Sequence, residues 1–161
     1  MKETVLVIDD EKSIRTAVDL ILNPAYRVLP AASGESALQA LEQETPDLIL
    51  LDIGLPDGNG IDLLKTVREE RPDLTAVMIT AYEETRSVVE AVRAGAHDYL
   101  VKPIDAQELL LTVENALESR RLKRQIRAIQ QPKIDAYRLG VVAKSEHIRR
   151  VVETAAKAAR S

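Results

Sequence analysis

Short apolar runs alternate along the chain with longer segments in which apolar residues recur at intervals of three or four. Short continuous runs are typical of strands buried on both faces, and the periodic segments favour amphipathic helices. We place strands near residues 4–8, 26–29, 47–51, 74–79 and 97–101, and helices near 11–22, 34–43, 59–70, 83–94 and from 106 onward. This alternation predicts an α/β fold with a doubly wound, five-stranded parallel sheet.

Four of the apolar runs end at polar residues. The runs lead, in chain order, into Asp9 and Asp10, into Asp52, into Thr80, and into Lys102 with Pro103. Because the carboxyl ends of parallel strands lie at one edge of a sheet, we expect these groups to share one crevice. The crevice would then hold three carboxylates, a hydroxyl and an ammonium group.

Three gathered carboxylates repel one another and lose hydration, so they need a counter-ion. The chain has no Cys and no His at ligand spacing, and ligands that are all oxygen atoms favour Mg²⁺ or Mn²⁺ over Zn²⁺. A hard cation, a nucleophilic carboxylate, a hydroxyl and a lysine together fit phosphoryl transfer onto an aspartate.

The motifs around these residues resemble those of response-regulator receiver domains, the phospho-accepting part of two-component systems, over about the first 120 residues. The matching motifs are the acidic pair Asp9-Asp10, the loop from Asp52 to Gly60, Thr80-Ala81, the stretch from Gly95 to Leu100, and Lys102-Pro103. Ile104 departs from the family, which often has an aromatic residue there. The resemblance implies a flavodoxin-like strand order of 2-1-3-4-5.

The resemblance also implies a role for each group in the crevice. Asp52 would be phosphorylated by a sensor histidine kinase or a small phosphodonor. Mg²⁺, for which Mn²⁺ could substitute, would be held by Asp9 or Asp10, by Asp52 and by the backbone carbonyl of Gly54. Lys102 and Thr80 would bind phosphoryl oxygens. Tyr99 would turn into the space that Thr80 vacates.

Three other interpretations of the same residues remain open. Each residue taken alone could be structural, as a helix cap or part of a turn, although five such groups at five matching positions disfavour this. A pseudo-receiver that only binds proteins would normally lack part of the acidic set. A haloacid-dehalogenase-type phosphatase also uses an Asp nucleophile, but needs a general-acid carboxylate two residues later, where this chain has Gly54.

Composition restricts the core and the compartment. Of the 161 residues, 45% are hydrophobic, but the aromatic residues are four Tyr with no Phe or Trp, so the core must be aliphatic. The lack of Cys is consistent with a reducing compartment. We see neither a signal peptide nor an apolar stretch long enough to span a membrane, and we expect a cytoplasmic protein without a membrane partner.

The second part of the chain is basic and begins with a long helical pattern. Residues 1–104 hold 19 acidic and 10 basic side chains, whereas residues 105–161 hold 7 and 12. A helical pattern without interleaved aromatics holds five of these basic residues, which indicates a solvated helix face rather than a nucleic-acid contact. The five are Arg120, Arg121, Lys123, Arg124 and Arg127. Leu122, Ile126 and Ile129 have coiled-coil spacing, which favours a homodimer over packing within one chain or a frayed helix end. We expect Pro132 to end this helix and Pro132 to Leu139 to form a linker.

The last segment suggests a further domain. Residues 140–145 precede a helical pattern with an apolar stripe, an order that resembles the start of the AAA+ ATPase module in NtrC-type activators of sigma-54 RNA polymerase. No Gly-x-x-x-x-Gly-Lys-Ser/Thr sequence occurs in the 161 residues, so we expect no ATP binding of that kind here. We therefore divide the chain into a receiver domain (1–120), a helical linker (121–139) and the start of an ATPase module (140–161).

Overall fold

Within the residues that the structure describes, the five strands of the main sheet alternate with five helices. The computed structural model describes the backbone of residues 2–81 and 85–140, and the side chains of residues 2–81 and 87–128. The sheet strands, numbered in chain order, are β1 Thr4–Ile8, β2 Arg27–Ala31, β3 Leu48–Asp52, β4 Thr75–Thr80 and β5 Asp98–Val101. The helices are α1 Lys12–Leu22, α2 Gly34–Gln43, α3 Gly60–Glu70, α4 Thr85–Arg93 and α5 Ala106–Gly140.

The sheet is parallel throughout, with the strand order β2-β1-β3-β4-β5. This confirms the doubly wound fold and the predicted order. One local feature was missed: Gly54–Leu55 and Gly58–Asn59 pair antiparallel in a short hairpin between β3 and α3. We call residues 54–59 the β3–α3 hairpin.

The core consists of two aliphatic clusters, one on each face of the sheet. Alternate strand residues enter each cluster because successive side chains of a strand point to opposite faces. Leu6, Ile49 and Met78 belong to the cluster that α2 and α3 cover, with Tyr99 packed at its border. The second cluster includes residues of α1 and α5 together with strand residues that alternate with the first set, and Tyr26 packs against it.

The long helix α5 differs from its prediction at its far end. The backbone continues as a helix through Pro132 to Gly140, so the prediction that Pro132 ends the helix was wrong. Proline removes one helical hydrogen bond and crowds the preceding turn, at a local cost of about 3 kcal/mol. The residues on both sides are mostly good helix formers, which is why this cost need not end the helix.

The chain divides after Leu117 into two units, 1–117 and 118–161. The segment proposed to begin an ATPase module lies outside the described residues, apart from Gly140. Within the described ranges, no helix has an apolar stretch long enough to cross a membrane.

Candidate functional site

The predicted site residues lie at the carboxyl edge of the sheet. Asp9 follows β1, Asp52 ends β3, Thr80 ends β4 and Lys102 follows β5. Asp9, Asp52 and Thr80 are buried, whereas Asp10 is exposed. The parallel register brings these strand ends together, since Asp52 pairs with Ile79 and the Lys102 amide donates to the Thr80 carbonyl at 2.8 Å.

Lys102 is the cation shared by the carboxylates at this edge. Its Nζ lies 2.9 Å from Asp9 Oδ2, 3.1 Å from Glu11 Oε1 and 3.4 Å from Asp52 Oδ2. Apart from this ion pair with Lys102, the buried Asp9 Oδ2 has no hydrogen-bond partner within the described residues. Buried oxygen atoms normally have such a partner. The site therefore has an oxygen available to a further cation.

The protonation of Asp52 and Lys102 reflects this crowding. Burial raises the pKa of Asp52, and the charge of Asp9 adds to the rise, although the Gly54 amide and Lys102 oppose it. Burial would lower the pKa of Lys102, but its contacts with the carboxylates of Asp9, Glu11 and Asp52 outweigh burial and raise that pKa. Lys102 is therefore a fixed positive charge, while the ionised form of Asp52 is held at some cost in free energy.

The three carboxylates have the arrangement of a metal site. Asp9, Asp10 and Asp52 can each offer one oxygen such that all three oxygens lie within 4.8 Å of one another. An all-oxygen ligand set suits a hard divalent cation. Asp9 Oδ2, which has an ion pair but no hydrogen bond within the described residues, fits the same interpretation. Gly54, the predicted carbonyl ligand, is next to this cluster because its amide donates to Asp52 Oδ1 at 3.2 Å.

Tyr99 lies on β5, near the end of the neighbouring strand β4. Tyr99 pairs with Met78 of β4 in the sheet register, and the half-buried Tyr99 side chain packs against the cluster under α2 and α3. The proposed switch movement of Thr80 and Tyr99 stays a prediction.

Several residues around the site were not predicted. Glu11 contacts Lys102, and Arg15 Nη1 donates to the Asp9 carbonyl at 2.7 Å. Gly60 was predicted only as the end of the matching loop, and the structure gives the reason for a glycine there: a Cβ would lie 2.1 Å from the Asp52 carbonyl oxygen. The sequence offered one signal for the contact between Glu11 and Lys102, since Glu11 directly follows the acidic pair Asp9-Asp10.

The predicted dimer residues are only partly described. Leu122 and Ile126 are each 52% exposed, so both are accessible to a partner. The side chain of Ile129 lies outside the described residues. Dimer formation through these residues stays a prediction.

Comparison with known proteins gives a family match. The family model described as response regulator receiver domain matches residues 5–114. Regulatory protein AtoC of Escherichia coli K12 is 35% identical over 128 residues, which are 79% of this chain and 28% of that protein. The chain thus spans less than a third of the length of this curated relative.

Two solved structures extend the comparison. The BeF3 activated DrrB receiver domain superposes with a TM-score of 0.69 at 32% identity, over 73% of this chain and 99% of that one. NtrX from Brucella abortus in complex with ADP superposes with a TM-score of 0.78 at 34% identity, over 96% of this chain and 34% of that one. The first of these matches is nearly a whole receiver domain, and the second is part of a longer regulator.

Proposed function

The chain belongs to the response regulator receiver domain family, and we propose that it is a signalling switch in which Asp52 accepts a phosphoryl group from the phosphohistidine of a sensor kinase. The observation that carries the proposal is the convergence of Asp9, Asp10 and Asp52 within 4.8 Å, with the Lys102 ammonium 3.4 Å from Asp52 Oδ2. The DrrB relative was solved in a BeF3 activated form, which supports the same chemistry here.

In the proposed reaction an Asp52 carboxylate oxygen attacks the phosphorus atom. The new O–P bond forms as the N–P bond to the kinase histidine breaks, and the histidine nitrogen regains a proton. The Gly54 amide, bonded to Asp52 Oδ1, fixes the orientation of the carboxylate. Lys102 neutralises charge on the phosphoryl oxygens. Mg²⁺, held by Asp9 or Asp10, by Asp52 and by the Gly54 carbonyl, would supply further charge neutralisation.

The signal would pass through Thr80 and Tyr99. The Thr80 hydroxyl would bind a phosphoryl oxygen, and Tyr99 would turn toward the space that Thr80 leaves. The phosphoryl group contacts this arrangement better and therefore shifts an existing equilibrium. In this scheme phosphorylation forms or rearranges a homodimer through Leu122, Ile126 and Ile129.

We further propose that the chain is the regulatory front of a cytoplasmic, NtrC-type activator of sigma-54 RNA polymerase. The support is the similarity to AtoC and to NtrX, of which this chain covers 28% and 34%. NtrX was solved with ADP, whereas these 161 residues contain no Gly-rich phosphate-binding sequence. The receiver would then control an AAA+ module that is a separate part of the protein.

Incubation with acetyl phosphate and Mg²⁺ tests the proposal. We expect one phosphoryl group per chain by intact-mass spectrometry, and none in Asp52→Asn. Asp62→Asn is the matched control, since it makes the same change at an exposed residue of α3 and should label like wild type. Phosphate release far beyond stoichiometry would favour the phosphatase, and no labelling would favour a pseudo-receiver.

A further inference from the structure

Asp57, in the turn of the β3–α3 hairpin, connects the phosphorylation-site loop to α2. Its Oδ1 accepts a hydrogen bond from the Gly34 amide and its Oδ2 one from the Glu35 amide, both at 2.9 Å. Asp57 is 23 residues from Gly34 and 22 residues from Glu35 in sequence. This carboxylate is therefore a tertiary contact and not part of a local turn.

The first turn of α2 depends on Asp57 for its remaining donors. The first amides of any helix lack partners within the helix. At this helix Ser33 accepts from the Ser36 amide through its hydroxyl and from the Ala37 amide through its carbonyl. The Gly34 and Glu35 amides are left, and Asp57 binds both. Hydrogen bonds from these amides lower the pKa of Asp57, as expected for a carboxylate at the positive end of a helix.

Gly34 lies directly against the Asp57 carboxylate. A Cβ at position 34 would lie 3.3 and 3.4 Å from the two Asp57 carboxylate oxygens, closer than side chains usually approach. A side chain at position 34 would thus make the Asp57 carboxylate shift by a few tenths of an ångström.

The hairpin is fixed at three points, and Asp57 is the one farthest from its base. At the base, the Gly60 amide donates to the Ile53 carbonyl at 2.7 Å. Asn59 pairs with Gly54 and caps α3 through a bond from the Ile61 amide. Asp57 then ties the turn to α2. Gly54 lies between these attachments, so its position depends on all three.

We propose that Asp57 is a positioning residue for the metal site, because its attachment to α2 fixes the hairpin that carries Gly54. This inference rests on the proposed function, in which the Gly54 carbonyl binds Mg²⁺ and its amide orients Asp52. Asp57 is not among the proposed metal ligands, and both its carboxylate oxygens accept hydrogen bonds from α2 amides. Its loss should weaken metal binding without removing a reacting group.

Rates of labelling by acetyl phosphate across a Mg²⁺ titration test this role in the full chain. In Asp57→Ala we expect the Mg²⁺ concentration for half-maximal rate to rise several-fold, while the rate at saturating Mg²⁺ stays near wild type. Isothermal calorimetry with Mg²⁺ alone should show the same several-fold loss of affinity. Asp57→Asn, which keeps one acceptor oxygen, should fall between Asp57→Ala and wild type.

Two further variants separate position from charge. Gly34→Ala leaves every charge in place but crowds the Asp57 carboxylate, so it should shift the Mg²⁺ dependence in the same direction. Asp62→Asn removes one negative charge from the first turn of α3 and leaves the Asp57 contact intact, so it measures the effect of charge alone. Circular dichroism verifies that each variant is folded. If Asp57→Ala does not fold, the separate variants Gly34→Ala and Asp57→Asn still test the role of Asp57.

Two results would overturn the inference. One is an equal Mg²⁺ dependence in Asp57→Ala and Asp62→Asn. The other is a fall in the saturating rate with no change in Mg²⁺ affinity. A wild-type chain that binds Mg²⁺ but does not label would refute the proposed function instead, while the calorimetric comparison would still test Asp57.

Discussion

Replacing Lys102 with Met should destabilise the fold markedly in metal-free buffer. The substitution keeps most of the side-chain volume but removes the only ammonium among the described residues that contacts Asp9 and Asp52 together. The side chains of those two residues are 0% and 7% exposed. Two buried carboxylates would then face each other without a counter-charge.

The expected size of the loss follows from two considerations. Removing one partner of a buried ion pair typically costs about 3–5 kcal/mol. The chain can limit that cost by protonating one carboxylate, which at pH 7 requires about 4 kcal/mol for an Asp of ordinary pKa. We therefore expect a decrease of about 3–4 kcal/mol in the free energy of unfolding, a large part of the roughly 5–15 kcal/mol of an ordinary domain.

Urea unfolding followed by far-ultraviolet circular dichroism, in EDTA at pH 7, measures this loss. Lys65→Met is the matched control, because Lys65 is exposed on α3 and its substitution should change stability by no more than about 0.5 kcal/mol. Mg²⁺ should reduce the difference in free energy of unfolding between Lys102→Met and wild type, since the ion replaces the missing positive charge.

The pH dependence provides a second measurement of the same effect. Burial and the charge of Asp9 already raise the pKa of Asp52, and the loss of Lys102 removes a cation that opposes the rise. A folded state with raised carboxyl pKa values binds protons more tightly than the unfolded chain and gains stability as the pH falls. The difference in free energy of unfolding between Lys102→Met and wild type should therefore decrease as the pH is lowered from 7 to 5. Equal unfolding midpoints for Lys102→Met and Lys65→Met in EDTA would refute the reasoning.

Three other predictions concern the metal, the hairpin and the helix extension. Mg²⁺ at ten times its dissociation constant should stabilise the wild type by about 1.4 kcal/mol, and thermal melts of the double variant Asp9→Ala, Asp10→Ala should show no such gain. A wild-type melting temperature that Mg²⁺ does not change would argue against the metal site. Gly60→Ala should cost about 1–3 kcal/mol or more in urea unfolding, because its Cβ would lie 2.1 Å from the Asp52 carbonyl oxygen, and wild-type stability would contradict that approach. Truncation after Leu117 should give a monomer or a weaker dimer by sedimentation that still accepts phosphate. The same oligomeric state for both chains, with and without beryllofluoride, would exclude a change in association.

The sequence predicted most of the fold and the main site residues for simple physical reasons. Buried parallel strands need continuous apolar runs, and the polar residues that end those runs must meet at one edge of the sheet. The β3–α3 hairpin was missed because two-residue strands are too short to show alternation. The contact of Lys102 with Glu11 joins residues 91 positions apart. Such pairs depend on side-chain directions, which periodicity does not specify.

Pro132 illustrates a different limit of sequence patterns. A proline is a strong local signal for a helix end, yet its cost is confined to about one turn. Whether a helix ends there depends on the residues on both sides, and the backbone of α5 continues to Gly140.

The two-cluster core has a practical consequence for spectroscopy. Tyr26 packs against the cluster under α1 and α5, and Tyr99 against the cluster under α2 and α3, so each face of the sheet carries its own intrinsic fluorophore. The chain has no Trp to mask tyrosine emission. With the other two tyrosines, Tyr82 and Tyr137, changed to Phe, the emission would come from one reporter on each face. Tyr99 would report events at the end of β5, and Tyr26 would serve as the internal reference on the opposite layer.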